Sequence, residues 1–207
     1  MGKSYEVELL LVDDGSKDKT NELLHSHFKD FLYARVLTHE VNQNLGGALR
    51  TGFASARGDY IAALDSDCTY HPELLVTMLG MMDEQTDIVT VSPYHPFGKV
   101  NNVPAYRIFL SKAISRIYRV LLWVDIYTFT AMVRVYKRDV IENVKFNSNT
   151  FLSVTEIMVK SLLWGYKIKE LPAQLNVRAF GASKMKTFRV ILDHLALIRK
   201  IMFYKLF

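Results

Sequence analysis

Two aspartates one residue apart, Asp65 and Asp67, follow the short apolar run Tyr60–Leu64 and precede Pro72. At the carboxyl end of a buried strand, such a pair stands in the crevice where α/β sheets take ligands. Hard carboxylate oxygens suit Mg2+ or Mn2+ that is also held by substrate phosphates. The metal would neutralise a leaving diphosphate, which makes Asp67 a candidate catalytic residue as well as a ligand. The bland reading is a helix cap before Pro72. Cys68 and His71 lie close by, but the oxygen pair is preferred and Cys68 reads as packing. Asp13-Asp14-Gly15-Ser16 ends another apolar run, Val7–Val12. Its carboxylates could accept from a base N–H or from ribose hydroxyls. A capping turn is the rival, and a second strand-end Asp pair further along favours the ligand. Asn44 can cap a helix or bond a ligand, and Gly46-Gly47 permits close backbone approach.

The basic candidates lie later. Arg107 and Ser111 stand one helical turn apart and can clamp an oxyanion. Lys112, Arg116 and Arg119 extend a positive stripe on the same segment. A solvated helix face or a membrane-surface contact would also produce such a stripe, and Arg119 is read as solvated. Arg178, Ser183 and Lys184 gather donors around Gly181, a plausible phosphate-holding loop or a basic surface loop. Glu156 interrupts an apolar helical pattern. A carboxylate there is costly to bury unless paired, so it is a catalytic base, an orienting group or a surface residue.

The elements that must position these residues alternate. Strands are expected at Val7–Val12, Arg35–Thr38, Tyr60–Leu64, Ile88–Ser92 and Ile168–Leu171, with another at Leu175–Arg178. Helical spacing falls within residues 17–28 and over Ala48–Ala56, Pro72–Met82, Tyr106–Val124 and Ser153–Trp164, the last ending at Gly165. Tyr94–Pro104 reads as loop, and Asp125–Tyr136, rich in β-branched and aromatic residues, as strand. This alternation predicts a doubly wound α/β sheet flanked by helices. Thr187–Phe207 is amphipathic, with Phe188, Ile191, Leu192, Leu195, Ile198 and Met202 roughly on one side. It suits an interfacial helix on an anionic bilayer, a core helix or an oligomer contact.

The 207 residues carry a net charge of +5 and one cysteine. The size fits one domain with a sizeable core. The charge implies an anionic partner, and without a zinc-finger or RNP pattern nucleic acid is not expected. A single cysteine excludes an internal disulfide framework and fits a reducing compartment. The N-terminus shows no secretory signal pattern, and no window of apolar residues is long enough to span a bilayer.

Six stretches in order resemble the family 2 glycosyltransferases of GT-A (Rossmann-like) fold, in the dolichol-phosphate mannose synthase and polyprenyl-phosphate glycosyltransferase branch. They are VDDGSKDKT at Val12–Thr20, NLGGALRTGFASARGDYI at Asn44–Ile61 and LDSDCTYHPELL at Leu64–Leu75. YRIFLSKAIS at Tyr106–Ser115, TAMVRVYKRDVI at Thr130–Ile141 and the run Glu156–Met185 complete the set. The resemblance implies an inverting, metal-dependent hexosyltransferase that moves a sugar from a nucleotide-sugar to a polyprenyl (dolichyl or undecaprenyl) phosphate. It implies Asp13, Asp14, Asn44 and Gly46 near the nucleotide-sugar. Asp65 and Asp67 would bind Mg2+ or Mn2+ and the diphosphate. Arg178 belongs with the nucleotide-sugar, and Arg107, Ser111, Ser183 and Lys184 with the acceptor phosphate. Glu156 matches an active-site carboxylate. Residues 1–185 would form the transferase domain and 186–207 an amphipathic helix. Peripheral attachment at the cytoplasmic face of a membrane is implied, with room for a membrane-anchoring partner subunit.

The chain departs from the family in three places. Ser92-Pro93 stands where Ser-Arg is frequent, and Thr130–Arg134 replaces Thr-Ser-Gly-Phe-Arg. The family's first strand, ending in Pro-x-Tyr-Asn-Glu, has no counterpart, so the expected fold is N-terminally truncated. An apolar slot and unpaired backbone groups are expected there, and a nucleotide-binding remnant is a second reading. Transfer to a saccharide hydroxyl is a third. That chemistry wants a general base, commonly the Asp of a Glu-Asp pair; Glu156 is followed by Ile157.

Overall fold

The computed structural model of the chain describes residues 5–67, 69–176 and 187–206. β1 (Leu9–Asp13), α1 (Thr20–Phe28) and β2 (Ala34–Thr38) form a β-α-β unit. Its strands pair in parallel from Leu9↔Ala34 to Asp13↔Thr38. α2 (Asn44–Ser55) leads to β3 (Tyr60–Ala63), and α3 (Leu74–Gly80) to β4 (Ile88–Ser92). Next come β5 (Lys99–Val100), α4 (Ala105–Leu122), β6 (Arg134–Lys137) and α5 (Arg138–Asn143). α6 (Leu152–Leu163), β7 (Ile168–Pro172), β8 (Gln174–Leu175) and α7 (Thr187–Leu206) complete the order.

The main sheet has the order β3-β6-β4-β7. β6 runs antiparallel to both neighbours, and β4 is parallel to β7. Hence β3, β4 and β7 share a direction, and their carboxyl ends lie on one edge. β4 is buried along its whole length, as a strand covered on both faces must be. Its alternation is plain: Ile88 packs with Phe53, Ile61, Tyr136, Phe146 and Ile157. Val89 and Val91 join Met78, Met82, Val133 and Val135 instead. A third cluster lies among helices, where Tyr118 of α4, Met158 and Val159 of α6, and Leu197 and Ile201 of α7 meet Phe129.

The expected sheet is divided. Among the described residues β1 pairs only with β2, and β3 only with β6. The division falls where the resemblance implies a further strand. The two parts are joined at their starting ends by Glu8. Its carboxylate accepts from Arg35 at 3.0 Å, from Gly58 N–H at 3.2 Å and from Arg57 N–H.

The expected strand over Asp125–Tyr136 forms only from Arg134 onward. Side chains take the backbone groups that a ladder would use. Glu170 accepts from the N–H of Tyr127 at 2.8 Å and of Thr128 at 2.9 Å, and Ser115 Oγ from that of Phe129 at 3.2 Å. α2 begins at Asn44 rather than Ala48, and the loop at 94–104 holds the short β5. The last helix has two apolar sides. His194, Leu197 and Ile201 are buried, while Leu192, Leu195 and Met202 of the expected row are exposed.

Candidate active site

The carboxyl end of β1 is built by Asp13 and Asp14. Asp13 is buried; it accepts from Ser16 N–H at 3.2 Å and Asn21 Nδ2 at 2.9 Å. The Ser16 hydroxyl above all, with Asn21, holds its carboxyl below the ordinary value against the opposing effect of burial. Asp14 Oδ1 accepts from Gln43 N–H at 2.8 Å and meets His39 Nδ1 at 2.7 Å. Both bonds fall on one oxygen, leaving Oδ2 without a protein donor among the described residues. The turn needs Gly15, at φ +71°, where a Cβ would sit 3.0 Å from Asn42 N. Asp14 thereby ties the β1 turn to the start of α2, where Asn44 adopts φ +62°.

Gly46 is drawn into the same assembly, but toward protein. Its N–H donates to Asn149 O at 2.9 Å, and a Cβ there would lie 2.0 Å from Ser148 O. Arg50 also grips this loop, donating to Ser148 O at 3.1 Å. Glu156 holds it from the other side. Its carboxylate accepts from Ser148 N–H at 2.8 Å, from Asn147 N–H at 3.2 Å and from Lys160 Nζ at 2.7 Å. Burial pushes the Glu156 carboxyl up, but Lys160 and the two backbone donors outweigh it and hold the group below its ordinary value. The carboxylate expected at the active site is thus bound within the fold, bracing the loop on which Gly46 rests.

Asp65 and Asp67 lie just beyond β3, both partly buried, and Asp67 Oδ1 accepts from Thr69 N–H at 3.1 Å. Both carboxylates stand on the loop at the carboxyl edge of the sheet. Among the described residues no three His, Cys, Asp or Glu side chains gather as a closed metal cage. A two-carboxylate set fits a divalent ion that draws its remaining ligands from substrate phosphates and water.

Between this loop and α4 lie several hydroxyls that influence one another electrostatically. Tyr70 is buried; burial raises its pKa, and Tyr94 and Asp65 nearby raise it further. Tyr94 is raised by burial too, while the neighbouring Ser111 hydroxyl works the other way. Ser111 Oγ in turn meets Thr130 Oγ1 at 2.5 Å. Arg107, one turn before Ser111, makes no ion pair among the described residues; its Nε donates to Tyr106 OH at 3.1 Å. Phe129, next to Thr130 in the chain, is held by Arg134, which is fully buried. Arg134 donates to Phe129 O at 2.8 Å, to Thr90 Oγ1 at 3.2 Å and to Val154 O.

The structure therefore places Asp65, Tyr70, Tyr94 and Ser111 as electrostatic neighbours, while hydrogen bonds tie Asp14 to the start of α2 and Gly46 and Glu156 to the loop at 147–149. Arg178, Ser183, Lys184 and Gly181 lie outside the described residues, as does Cys68. Asn176, the last described residue before that segment, donates its N–H to Thr69 O at 3.1 Å. Tyr70, Tyr94, Thr130 and Arg134 escaped the sequence reading. One signal was available: the triplet Tyr-His-Pro occurs twice, at 70–72 and 94–96, after β3 and after β4.

Comparison with solved structures shows the GT-A fold. Glucosyl-3-phosphoglycerate synthase from Mycobacterium tuberculosis, in complex with phosphoglyceric acid, superposes with a TM-score of 0.68 at 19% identity. That match covers 92% of this chain and 68% of the other. The same enzyme with Mn2+, uridine-diphosphate and glucosyl-3-phosphoglycerate gives a TM-score of 0.67 over 92% and 68%, also at 19% identity. The chain belongs to glycosyl transferase family 2, whose profile matches residues 3–145. A polyprenol monophosphomannose synthase from Mycolicibacterium smegmatis is 32% identical over 87% of this chain and 71% of its own length. A dolichol-phosphate mannosyltransferase from Pyrococcus furiosus is 30% identical over 97% of this chain, which spans 56% of that protein.

Proposed function

We propose that this glycosyltransferase moves a hexose from a nucleotide-sugar to a polyprenyl phosphate, with inversion at the anomeric carbon. The observation that carries the reading is the position of the Asp65–Asp67 loop at the carboxyl end of β3, with Tyr70, Tyr94 and Ser111 as electrostatic neighbours and Arg107 one turn before Ser111. It sets a diphosphate-holding end against an oxyanion-holding end. The two mannose-transferring relatives support a polyprenyl phosphate acceptor and make mannose the first sugar to test.

Asp65 and Asp67 would hold Mg2+ or Mn2+, which neutralises charge on the diphosphate when bound. Asp14, with Asn44 beside it, is the candidate for ribose or base contacts. Arg107 and Ser111 orient the acceptor phosphate by charge and hydrogen bonding. An oxygen of that phosphate forms the new bond to the anomeric carbon as the bond to the nucleoside diphosphate breaks. The attacking oxygen is already anionic, so no protein base has to remove a proton. This agrees with the state of Glu156, whose lowered pKa and pairing with Lys160 suit it for positioning rather than proton abstraction. Arg178, Ser183 and Lys184 are assigned to phosphate binding on the resemblance alone. The acceptor's lipid tail supports peripheral attachment to a membrane; its cytoplasmic face and an anchoring partner are assigned on the resemblance alone. Among the described residues no helix is long and apolar enough to cross a membrane.

The test is a transfer assay with labelled nucleotide-sugars and separate polyprenyl phosphate, polyprenol and saccharide acceptors. Label should enter only the phosphorylated lipid, and NMR of the product should show an inverted anomeric centre. Nucleotide binding without turnover is the second reading, favoured by the break between β1 and β3. Calorimetry of a nucleoside diphosphate with Mn2+ that gives binding while every acceptor stays unlabelled would select it.

A further inference from the structure

The tandem aspartates at the end of β1 are held in different ways. Asp13 has both oxygens bound within the fold, Oδ1 by Ser16 N–H at 3.2 Å and Oδ2 by Asn21 Nδ2 at 2.9 Å. Asp14 has one oxygen bound. Its Oδ1 accepts from Gln43 N–H and meets the ring of His39, while Oδ2 has no protein donor among the described residues. Of the two, Asp14 is the one that keeps an acceptor to offer a ligand.

His39 follows β2 and is buried. Its backbone N–H donates to Asp13 O at 2.9 Å, which fixes it against the end of β1. Its ring bridges two elements. Nδ1 lies 2.7 Å from Asp14 Oδ1, and Nε2 lies 2.7 Å from Thr51 Oγ1 on α2. The partners decide the tautomer. A carboxylate only accepts, so Nδ1 carries the hydrogen and donates it to Asp14. Nε2 of the neutral ring then accepts from the Thr51 hydroxyl. Thr51 thus sets the ring, and the ring sets the carboxylate, from the side opposite the Gln43 N–H. An aspartate without such a clamp would spread over several rotamers and lose that freedom on binding.

We infer that His39, with Thr51 behind it, is the positioning residue that aims Asp14 Oδ2 at the ribose or base of the nucleotide. The inference rests on the reading of Asp14 as a nucleotide contact. A tie that merely holds β1 to β2 is the rival. Its loss would lower stability without regard to which nitrogen faces Asp14.

Calorimetric titration of GDP and of UDP, each with Mn2+, tests the inference on single variants of the chain. Asparagine carries its amide nitrogen where histidine has Nδ1, and glutamine where histidine has Nε2. His39→Asn therefore keeps the donor to Asp14, and His39→Gln keeps only the partner of Thr51. For whichever nucleotide the parent binds, His39→Gln should weaken binding roughly tenfold, while His39→Asn should stay close to the parent. Thr51→Val should weaken it about threefold to fivefold by freeing the ring, and Thr51→Ser should restore it. In turnover the loss should fall on KM for the nucleotide-sugar and spare kcat, since contacts to ribose or base are shared by ground and transition states. Both His39 variants leave space where the ring stood, so both should melt below the parent. Affinity that follows melting temperature across the His39 and Thr51 variants, rather than the position of the nitrogen, would overturn the inference. Asp14→Asn separates it from the reading beneath it. Weak binding by Asp14→Asn with parent-like binding by His39→Gln defeats the inference alone. Parent-like binding by Asp14→Asn, or a parent that binds neither nucleotide, defeats the reading of Asp14 and the inference with it.

Discussion

The carboxylates of this chain stand in different surroundings, and the proposed roles follow those surroundings. Asp65 and Asp67 sit on a loop at the sheet edge; Glu156 is closed in by Lys160 and two backbone N–H groups. Asp67→Asn should lower kcat/KM by about a hundredfold or more while leaving the melting temperature nearly unchanged. Glu156→Gln should do the reverse, costing about 2 kcal/mol of stability because the amide keeps only one acceptor oxygen for these donors and no charge for Lys160. The pH dependence has a definite sign. The Glu156 carboxyl is held below its ordinary value, 4.5, in the fold. Its contribution is therefore present above the unfolded-state value and lost as pH falls through the folded one. Urea unfolding across acidic pH should show a shallower loss of stability in the Gln variant than in the parent. Equal slopes would remove Glu156 from this role. The sequence showed Glu156 as an anomaly within an apolar helix but not its partner, because Lys160 one turn on is an ordinary surface pattern. Gly46 was visible as a close-approach glycine. That the approach is to Ser148 rather than to a ligand depends on a contact about a hundred residues distant in the chain.

At the scale of elements, strands with alternating or continuous apolar patterns were readable, and β4 falls where the pattern put it. The segment 125–133 misled, since its β-branched composition is that of a strand while Glu170 and Ser115 take its backbone donors. Local composition cannot report a side-chain acceptor from a distant strand. Among the described residues β1 and β2 are paired with each other alone and mostly half-buried, whereas β4 is fully buried with two neighbours. Amide hydrogen exchange should accordingly be faster in Leu9–Asp13 than in Ile88–Ser92; equal protection would contradict the divided sheet. α7 supplies a pH test of its own. Burial pushes the His194 imidazole down to about 4, and its Nδ1 lies 3.1 Å from Tyr118 OH. Because the folded value is depressed, stability is kept above the unfolded value of 6.5 and declines as pH falls toward about 4. Exchange from α7 amides should rise over that window, and His194→Gln should abolish the rise.

For the whole molecule, fold and family were legible because six motifs in order specify an α/β scaffold with its ligand edge. The neighbourhood of Tyr70 and Tyr94 was less so, since it arises only when β3 and β4 run parallel on either side of β6. The site as a whole predicts that chelation with EDTA abolishes transfer and that Mg2+ or Mn2+ restores it. The central claim is the identity of the acceptor. Labelled nucleotide-sugar offered to the protein with equimolar polyprenyl phosphate and saccharide, in the presence of Mn2+, measures it in one experiment. Label in the polyprenyl phosphate fraction alone, lost with Arg107→Ala, is the predicted result. Label appearing on the saccharide while the lipid phosphate stays unlabelled would contradict it.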